Sequence, residues 1–271
     1  MAKTQSTVNA NKASLLAEMH DDILILTIDR QDSYNSWNTE LRTTIAEKLV
    51  AADKDPLVAG VVVTGAGNRA FCAGQDLKDL QPYANGEKIA EFLQRLTDCY
   101  DAVRAFGKPL VAAVNGVAAG SGFQLTQFCD YVIAHDKVKV GQTEVTSGLP
   151  SVFGTWLMAE RVGSRAKELA LQGRLLESDE AFQLGFIHKI VNEQDVLQEA
   201  ILAARRLAKQ PQVAYRMSKA AIRAMDQERY AAVMRMAIST YIEAFNTGAP
   251  QADIGRFFER RAKKAAETAA S

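Results

Sequence analysis

The sequence has few of the residues that build metal centres, disulfide frameworks or nucleophilic triads. Its 271 residues include only three histidines and three cysteines. Cys72, Cys99 and Cys129 are odd in number and lack the paired spacing of a metal site, so we interpret them as reduced, buried thiols. The histidines are scattered among predicted strand ends and turns. We therefore expect no metal ion.

An excess of charge of one sign and long apolar runs are also missing. Lys and Arg total 32, and Asp and Glu also total 32, which argues against nucleic acid or a membrane as a partner. No apolar run reaches bilayer length. Residues 1–13 are polar and lack the apolar middle of a signal peptide, so we predict a disordered tail and a cytoplasmic location. The glycine runs lack the strand and downstream acid of a dinucleotide site, so no redox cofactor is expected.

What the sequence does contain is three glycine-punctuated stretches, at residues 71–77, 114–125 and 140–150. The first two follow apolar, β-branched runs and predict sharp exits from strands, where backbone N–H groups are left unpaired. Two such exits that face one point would form an oxyanion hole. The third stretch places the carboxylate of Glu144 between glycines. An oxyanion hole beside one carboxylate is suited to moving protons next to a carbonyl group.

Apolar periodicity predicts that strands and helices alternate up to about residue 195. The predicted strands are 15–18, 23–29, 58–64, 110–114, 130–134, 137–140 and 186–191. The predicted helices of this part lie at 39–53, within 81–103, at 121–128 and from 178 onward. Alternation implies crossover connections and a largely parallel sheet. Four further helices are predicted at 193–209, 211–225, 227–245 and 251–266. We therefore predict a core domain at 14–195 and a helical region at 196–271.

With these stretches in place, the chain resembles the enoyl-CoA hydratase/isomerase (crotonase) superfamily from about residue 15 to residue 264. The resemblance is carried by Asn35, residues 71–77, 114–116, 120–122, 129–130, 141–144, 148–150 and 257–261. It implies an α/β fold in which ββα units form a spiral, followed by a helical C-terminal region. It also implies an acyl-CoA substrate, with coenzyme A as part of that substrate and no separate cofactor. The implied assembly is a homotrimer or a dimer of trimers, with residues 196–271 in the trimer contacts.

Matched position by position, the resemblance assigns the two oxyanion-hole N–H groups to Gln75 and Ser121. The family usually has glycine where Ser121 stands, so here a side chain also lies near the thioester. In the hydratases of the family two glutamates hold a water. The second matches Glu144, but the first matches Gln124. An amide can hydrogen-bond a water but cannot accept its proton at neutral pH.

The glutamine therefore favours double-bond isomerisation over hydration. Family members that shift a double bond from position 3 to position 2 use one glutamate, at the position of Glu144, to carry a proton between C2 and C4. The alternative is a hydratase or hydratase-lyase with a water held by Gln124. Hydratase-lyases that act on aromatic enoyl-CoAs also use a tyrosine, for which Tyr241 and Tyr83 are candidates.

The acyl group is predicted to lie in an apolar pocket beside these motifs. The predicted substrate-binding residues are Ala73, Asp76, Leu77, Leu80, Gly120, Val145 and Trp156, and further candidates for the lining are Tyr83, Phe92, Leu96, Val117 and Phe123. Cations that could hold the CoA phosphates are Arg30, Lys78, Lys263 and Lys264. Packing is the simpler interpretation of both Trp37 and Trp156.

Two other classes of function compete with this interpretation. In a serine hydrolase, Ser121 would be the nucleophile, but a triad also requires a histidine base and an orienting acid. The nearest candidate base, His135, follows fourteen positions later in a predicted turn. In an acyl-CoA binding protein without catalysis, Glu144 would be dispensable.

Overall fold

The computed structural model describes residues 14–80 and 86–270, so the predicted tail at residues 1–13 and Tyr83 lie outside the described residues. The strands are β1 (Leu15–His20), β2 (Ile23–Ile28), β3 (Gly60–Gly65), β4 (Ala70–Cys72), β5 (Leu110–Val114), β6 (Val117–Ala119), β7 (Tyr131–His135), β8 (Lys139–Gly141), β9 (Leu176–Glu177) and β10 (Lys189–Val191). The helices are α1 (Thr39–Lys54), α2 (Leu77–Leu80), α3 (Gly86–Ala105), α4 (Ser121–Phe128), α5 (Val152–Val162), α6 (Arg165–Gln172), α7 (Ser178–Gln183), α8 (Val196–Ala208), α9 (Gln212–Asn246) and α10 (Ala249–Ala270).

The strands form two sheets that are wound together as a spiral. The first has the order β1-β2-β3-β5-β7-β10, and the second has the order β4-β6-β8-β9. Successive strand pairs, β3 with β4, β5 with β6 and β7 with β8, each give one strand to each sheet before the chain returns through a helix. Within both sheets these strands run parallel, as such crossovers require. This is the α/β spiral of ββα units that the resemblance implied.

The central strands of the first sheet are mostly apolar because both of their faces are covered. On one face Val62, Val111 and Ile133 pack against α8. On the other face Val61, Val63 and Ala112 belong to the large core shared with α1, α3 and α4. Continuous burial of this kind is typical of parallel strands between layers of helices.

Some element boundaries differ from the sequence-based prediction. The helices predicted at 211–225 and 227–245 are wrong as separate elements, because α9 runs unbroken for 35 residues. No glycine or proline interrupts residues 212–246, so nothing ends the helix there. Strands β4, β6 and β9 were not predicted as strands; each has two or three residues, and β4 and β6 run directly into glycine-rich turns. The helical C-terminal region after Val191 is confirmed.

Helix α8 joins the helical region to the sheet. Val196, Ala200 and Ile201 are buried against the strands, so the first of the C-terminal helices shares their core. The division into a domain at 14–195 and a region at 196–271 stays a prediction. No helix within the described ranges has the length and apolar character needed to cross a bilayer.

All three cysteines are free and buried, as predicted. Burial raises the pKa of the Cys72 thiol and of the Cys99 thiol to about 12 each, so neither forms a thiolate at neutral pH. Cys72 nevertheless has a role in packing, because its backbone meets the first turn of α4 at Gly122.

We predict that Gly122→Ala destabilises the fold. A Cβ at this position would lie 2.2 Å from the Cys72 carbonyl oxygen, so α4 would have to move away from β4. Overpacking of this kind costs about 1–3 kcal/mol. The matched control is Gly255→Ala in α10, where a Cβ meets no atom within 4 Å and helix propensity favours alanine by up to about 1 kcal/mol. Thermal unfolding followed by circular dichroism checks both, and an unchanged melting temperature for Gly122→Ala would contradict this account of the contact.

Candidate active site

A cavity of about 980 Å³ lies where the glycine-punctuated stretches meet. The segment after β4, the start of α4 and the turn after β8 all reach it. Most of the residues predicted for the site line this cavity, and they are Ala73, Gln75, Asp76, Leu77, Leu80, Gly120, Ser121 and Glu144. Three stretches separated by up to about 70 residues in the sequence are thus brought together around one space.

The helices supply the apolar wall of the cavity. Phe92 and Leu96 line it from α3, as predicted, and Phe257 and Phe258 line it from α10. Tyr241, one of the two tyrosine candidates, lines it from α9. Burial, and then the nearby Glu144 carboxylate, raise the pKa of the Tyr241 hydroxyl well above its usual value.

Five residues predicted for the site are not among the residues that line this cavity in the described part of the chain. They are Val117, Phe123, Gln124, Val145 and Trp156, of which Gln124 is buried behind Glu144 and hydrogen-bonded to it. Trp156 instead packs against Phe153 and Tyr230, with ring centroids 5.6 Å and 6.2 Å away. Phe123 packs edge-on against Phe186 in the core. Apolar character predicted burial for these side chains, but it could not distinguish a pocket wall from the core.

Of the predicted cations, Arg30 and Lys78 line the cavity. Arg30 is paired with Asp76, whose carboxylate oxygen lies 2.8 Å from Nη2 of the arginine. Lys263 is exposed and is not among the lining residues, and the side chain of Lys264 is not described.

The two predicted oxyanion donors lie on segments in direct contact. Gly74, with φ of 95°, is so close to the chain before α4 that a Cβ there would lie 2.7 Å from Ala119 O and 3.5 Å from Ser121 N. Only glycine allows this approach. The Ser121 N–H begins α4, so it has no partner inside the helix and carries the positive end of the helix dipole. Within the described residues, no acceptor in the fold is found for the Gln75 or the Ser121 amide.

The Gln75 side chain is held by a buried arginine. Arg42, which is fully buried in α1, donates from Nη1 to Gln75 Oε1 and from Nη2 to Thr39 Oγ1, the latter at 2.9 Å. Its guanidinium also lies 4.5 Å from the centroid of the Phe92 ring. At the other end of the amide, Gln75 Nε2 donates to Trp37 O at 3.2 Å. The loop that carries the Gln75 N–H is therefore fixed on two sides.

Glu144 receives hydrogen bonds from two neutral amides. Gln124 Nε2 donates to Glu144 Oε1 at 2.9 Å, and Gln142 Nε2 donates to Oε2 of the same carboxylate. The other end of the Gln124 amide is also occupied, because the Tyr100 hydroxyl donates to Gln124 Oε1 at 2.5 Å. Tyr100 and both glutamines are buried, so this arrangement determines which end of Gln124 faces the carboxylate.

Burial raises the pKa of Glu144 to about 7. Removal of the carboxylate from water is the largest cause, and contacts with the Ser151, Gln142 and Gln124 side chains partly oppose it. The Ser151 hydroxyl lies beside the carboxylate but makes no hydrogen bond of normal geometry. Since no cation pairs directly with Glu144 among the described ion pairs, nothing returns its pKa to the usual range of a glutamate.

The serine-hydrolase alternative gains no support from this geometry. The Ser121 hydroxyl accepts a hydrogen bond from the Trp37 indole at 2.7 Å. No histidine is among the described residues that line the cavity. His135 is buried at the end of β7, where its Nδ1 accepts from Lys137 N at 3.2 Å.

Three residues of the site received no role from the sequence. Gln142 lies two positions before Glu144 in the third stretch, and its spacing alone could have drawn attention to it. Tyr100 lies in the middle of α3 and Trp37 lies in the loop before α1, and neither carries a motif. Their partners are 24 and 84 residues away, so only the folded chain identifies them.

Known proteins resemble this chain along most of its length. A family model described as enoyl-CoA hydratase/isomerase matches residues 18–267. The chain is 31% identical over 250 residues to a crotonyl-CoA hydratase from Syntrophomonas wolfei, covering 92% of this chain and 96% of that protein. It is 34% identical over 213 residues to a 1,2-epoxyphenylacetyl-CoA isomerase from Escherichia coli, covering 77% and 81%. A solved enoyl-CoA hydratase/isomerase from Mycobacterium paratuberculosis superposes with a TM-score of 0.82 at 26% identity, covering 90% of this chain and 98% of that one.

We predict that Glu144 titrates near pH 7. In the unfolded chain a glutamate has a pKa of about 4.3, so folding raises the pKa of this group and the folded chain binds its proton more tightly. The contribution of Glu144 to the free energy of unfolding is therefore complete below about pH 4 and is lost as the pH rises through 7.

The measurement is a pH titration of the glutamate side-chain carbons by ¹³C NMR. One resonance should have a midpoint near pH 7, should disappear in Glu144→Gln and should remain in the control Glu47→Gln, which changes an exposed residue of α1. A spectrum in which every glutamate titrates below pH 5 would refute the raised pKa.

Proposed function

The chain belongs to the enoyl-CoA hydratase/isomerase family, and we propose that it isomerises the double bond of an enoyl-CoA with Glu144 as the single proton carrier. The observation that carries the proposal is the Gln124 amide, which stands where the family's hydratases have a second glutamate. Both of its ends are engaged, one by Tyr100 and one by Glu144. It carries no negative charge, and an amide oxygen that already accepts from Tyr100 cannot take a proton from a water at neutral pH.

The thioester oxygen would accept hydrogen bonds from the Gln75 and Ser121 amides. Both amides lie on cavity-lining residues, and the contact between Gly74 and the start of α4 brings their segments together. By analogy with other oxyanion holes, each donor that meets the developing negative charge lowers the barrier by about 3 kcal/mol. The positive N-terminal end of the α4 dipole also stabilises negative charge on this oxygen.

The proton then moves between two carbons of the substrate. The Glu144 carboxylate removes a proton from C2 of a 3-enoyl-CoA, and the electron pair of that C–H bond is delocalised onto the thioester oxygen as a dienolate. The same proton is returned to C4 as the double bond moves to position 2. No atom is gained or lost, and the carboxylate is regenerated. A Cβ at Gly120 would lie 3.7 Å from Glu144 Oε1, so the carboxylate is beside the proposed oxyanion hole.

The raised pKa of Glu144 suits a group that must both accept and deliver a proton. A carboxylate with a pKa of about 7 is a stronger base than an exposed glutamate, and its protonated form is still acidic enough to give the proton back. Neutral donors on both carboxylate oxygens hold the group in place. An arginine in their position would favour the charged form and lower this pKa.

Hydration is the second candidate, and the similarity to a crotonyl-CoA hydratase favours it. The similarity to a 1,2-epoxyphenylacetyl-CoA isomerase shows that related chains carry names of both kinds, so the names do not decide the reaction. A hydratase-lyase would add a role for Tyr241, which lines the cavity. An acyl-CoA binding protein without catalysis is the third candidate. It differs from the first two because Glu144 would not be required for its function.

The remaining expectations accompany the proposal. Coenzyme A would enter only as part of the substrate, with Arg30 and Lys78 at the cavity as the cations for its phosphates. The homotrimer or dimer of trimers and the cytoplasmic location stay predictions. Apolar side chains that α9 exposes support assembly, and they include Val213, Ile222, Met225 and Met236.

A deuterium-transfer assay tests the proposed reaction. With 3-hexenoyl-CoA carrying deuterium at C2, we expect 2-hexenoyl-CoA in which part of the label has moved to C4, because one carboxylate carries it. Glu144→Gln should lower kcat by about 10²–10⁴-fold, since a side-chain amide cannot take the proton. Mass spectrometry and NMR of the product check both. Rapid addition of water to 2-hexenoyl-CoA without isomerisation would overturn the proposal in favour of hydration.

Substitution of the glutamine tests what decides between the two reactions. Gln124→Glu restores a second carboxylate, to which Tyr100 can still donate, so we expect the ratio of hydration to isomerisation to rise at least about tenfold. Gln124→Leu is the matched control, because it removes the amide without adding a base and should not gain hydration. An unchanged ratio in Gln124→Glu would show that the residue at 124 does not select the reaction.

A further inference from the structure

Trp37 makes one contact that packing alone does not explain. Its side chain is fully buried, and its indole Nε1 donates a hydrogen bond of 2.7 Å to Ser121 Oγ. Ser121 is itself buried at the first position of α4. A tryptophan in the loop before α1 therefore holds the residue whose backbone N–H is a proposed oxyanion donor.

The backbone of the same tryptophan holds the other donor segment. Trp37 N donates to Gly74 O at 3.0 Å, and Asp76 N donates to Trp37 O at 3.1 Å, which forms an isolated parallel bridge between Trp37 and Gln75. In such a bridge the groups of the residues before and after Gln75 point toward Trp37. The N–H of Gln75 therefore points to the opposite side.

We propose that Trp37 is a positioning residue that sets the separation and direction of the Gln75 and Ser121 amides. It does so through its backbone on one side and its indole N–H on the other. The proposal rests on the oxyanion role proposed above for these two amides. It also gives the Ser121 side chain a purpose, because a glycine at this position, which is usual in the family, could not accept the indole hydrogen bond.

The hydrogen bond matters because oxyanion donors act only over a narrow range of distance, about 2.7–3.1 Å from the oxygen. A buried indole N–H without an acceptor is unfavourable, so the bond is maintained in the folded chain. The second tryptophan provides a contrast. Trp156 Nε1 is buried and has no hydrogen-bond partner within the described residues, so its indole serves packing only.

The test uses Trp37→Phe, Ser121→Ala and the double variant in the full chain. Each single variant should lower kcat for 3-hexenoyl-CoA about tenfold, less than the 10²–10³-fold expected when a donor is lost outright. The KM should change less than about twofold, because contacts to the rest of the substrate remain. The double variant should be no slower than the slower single variant, since both substitutions remove the same hydrogen bond.

A second readout does not require turnover. The infrared carbonyl stretch of bound butanoyl-CoA, labelled with ¹³C at the thioester carbon, should shift to lower frequency in the unmodified protein. The shift should shrink in both single variants. Thr126→Val is the matched control, because it removes another buried hydroxyl of α4. This hydroxyl donates to Phe123 O at 2.7 Å and accepts from Gln127 Nε2 at 2.8 Å, and neither bond involves Trp37 or Ser121. It should lower the melting temperature without changing kcat or the carbonyl shift.

The outcomes separate this inference from the proposed function. A carbonyl shift that depends on Trp37 and Ser121, in a protein without isomerase activity, would support the positioning role and reject the isomerase. If the loss of kcat in the double variant equals the product of the two single losses, the positioning role is overturned, because the two substitutions then act separately. The absence of any carbonyl shift in the unmodified protein, or a shift unchanged in both variants, would overturn it as well.

Discussion

The site depends on the close approach of the exit from β4 to the start of α4. At Gly74 and Gly122 the two segments are so near that a Cβ would meet a backbone oxygen, Ala119 O at 2.7 Å in the first case and Cys72 O at 2.2 Å in the second. The proposed convergence of the Gln75 and Ser121 amides requires this approach, which is possible only because Gly74 and Gly122 carry no side chain. The wrapping of the chain through alternate sheets creates the contact, and the glycines permit it.

The electrostatics of the cavity follow from which groups surround Glu144. Two glutamine amides donate to the half-buried carboxylate, no ion pair to it is found among the described residues, and desolvation raises its pKa to about 7. Two arginines near the cavity are engaged elsewhere: Arg30 pairs with Asp76, and Arg42 donates to Gln75. The protein thus separates the cations that shape the loop after β4 from the carboxylate proposed to carry the proton.

Much of the fold could be predicted because the central strands of the first sheet are buried on both sides and the helices have a polar face. The continuous apolar run of β3 and the spacing of Leu41, Ile45 and Leu49 in α1 both appear as such in the structure. The short strands β4 and β6, of three residues each, were not predicted. Hydrophobicity predicts that a side chain is buried but not which residues it contacts. Trp156, a candidate for the pocket wall, packs against Phe153 and Tyr230 instead.

By itself the sequence determined the alternation of the longer strands and helices, the family, the carboxylate of Glu144 and the amide at Gln124, because these are properties of local pattern and residue type. Only the tertiary structure decided how the amide is oriented by Tyr100, how far burial raises the pKa of Glu144, and that Trp37 bonds Ser121 from 84 residues away. Hydrogen bonds and desolvation depend on atoms that meet in space, and no spacing along the chain encodes such distances.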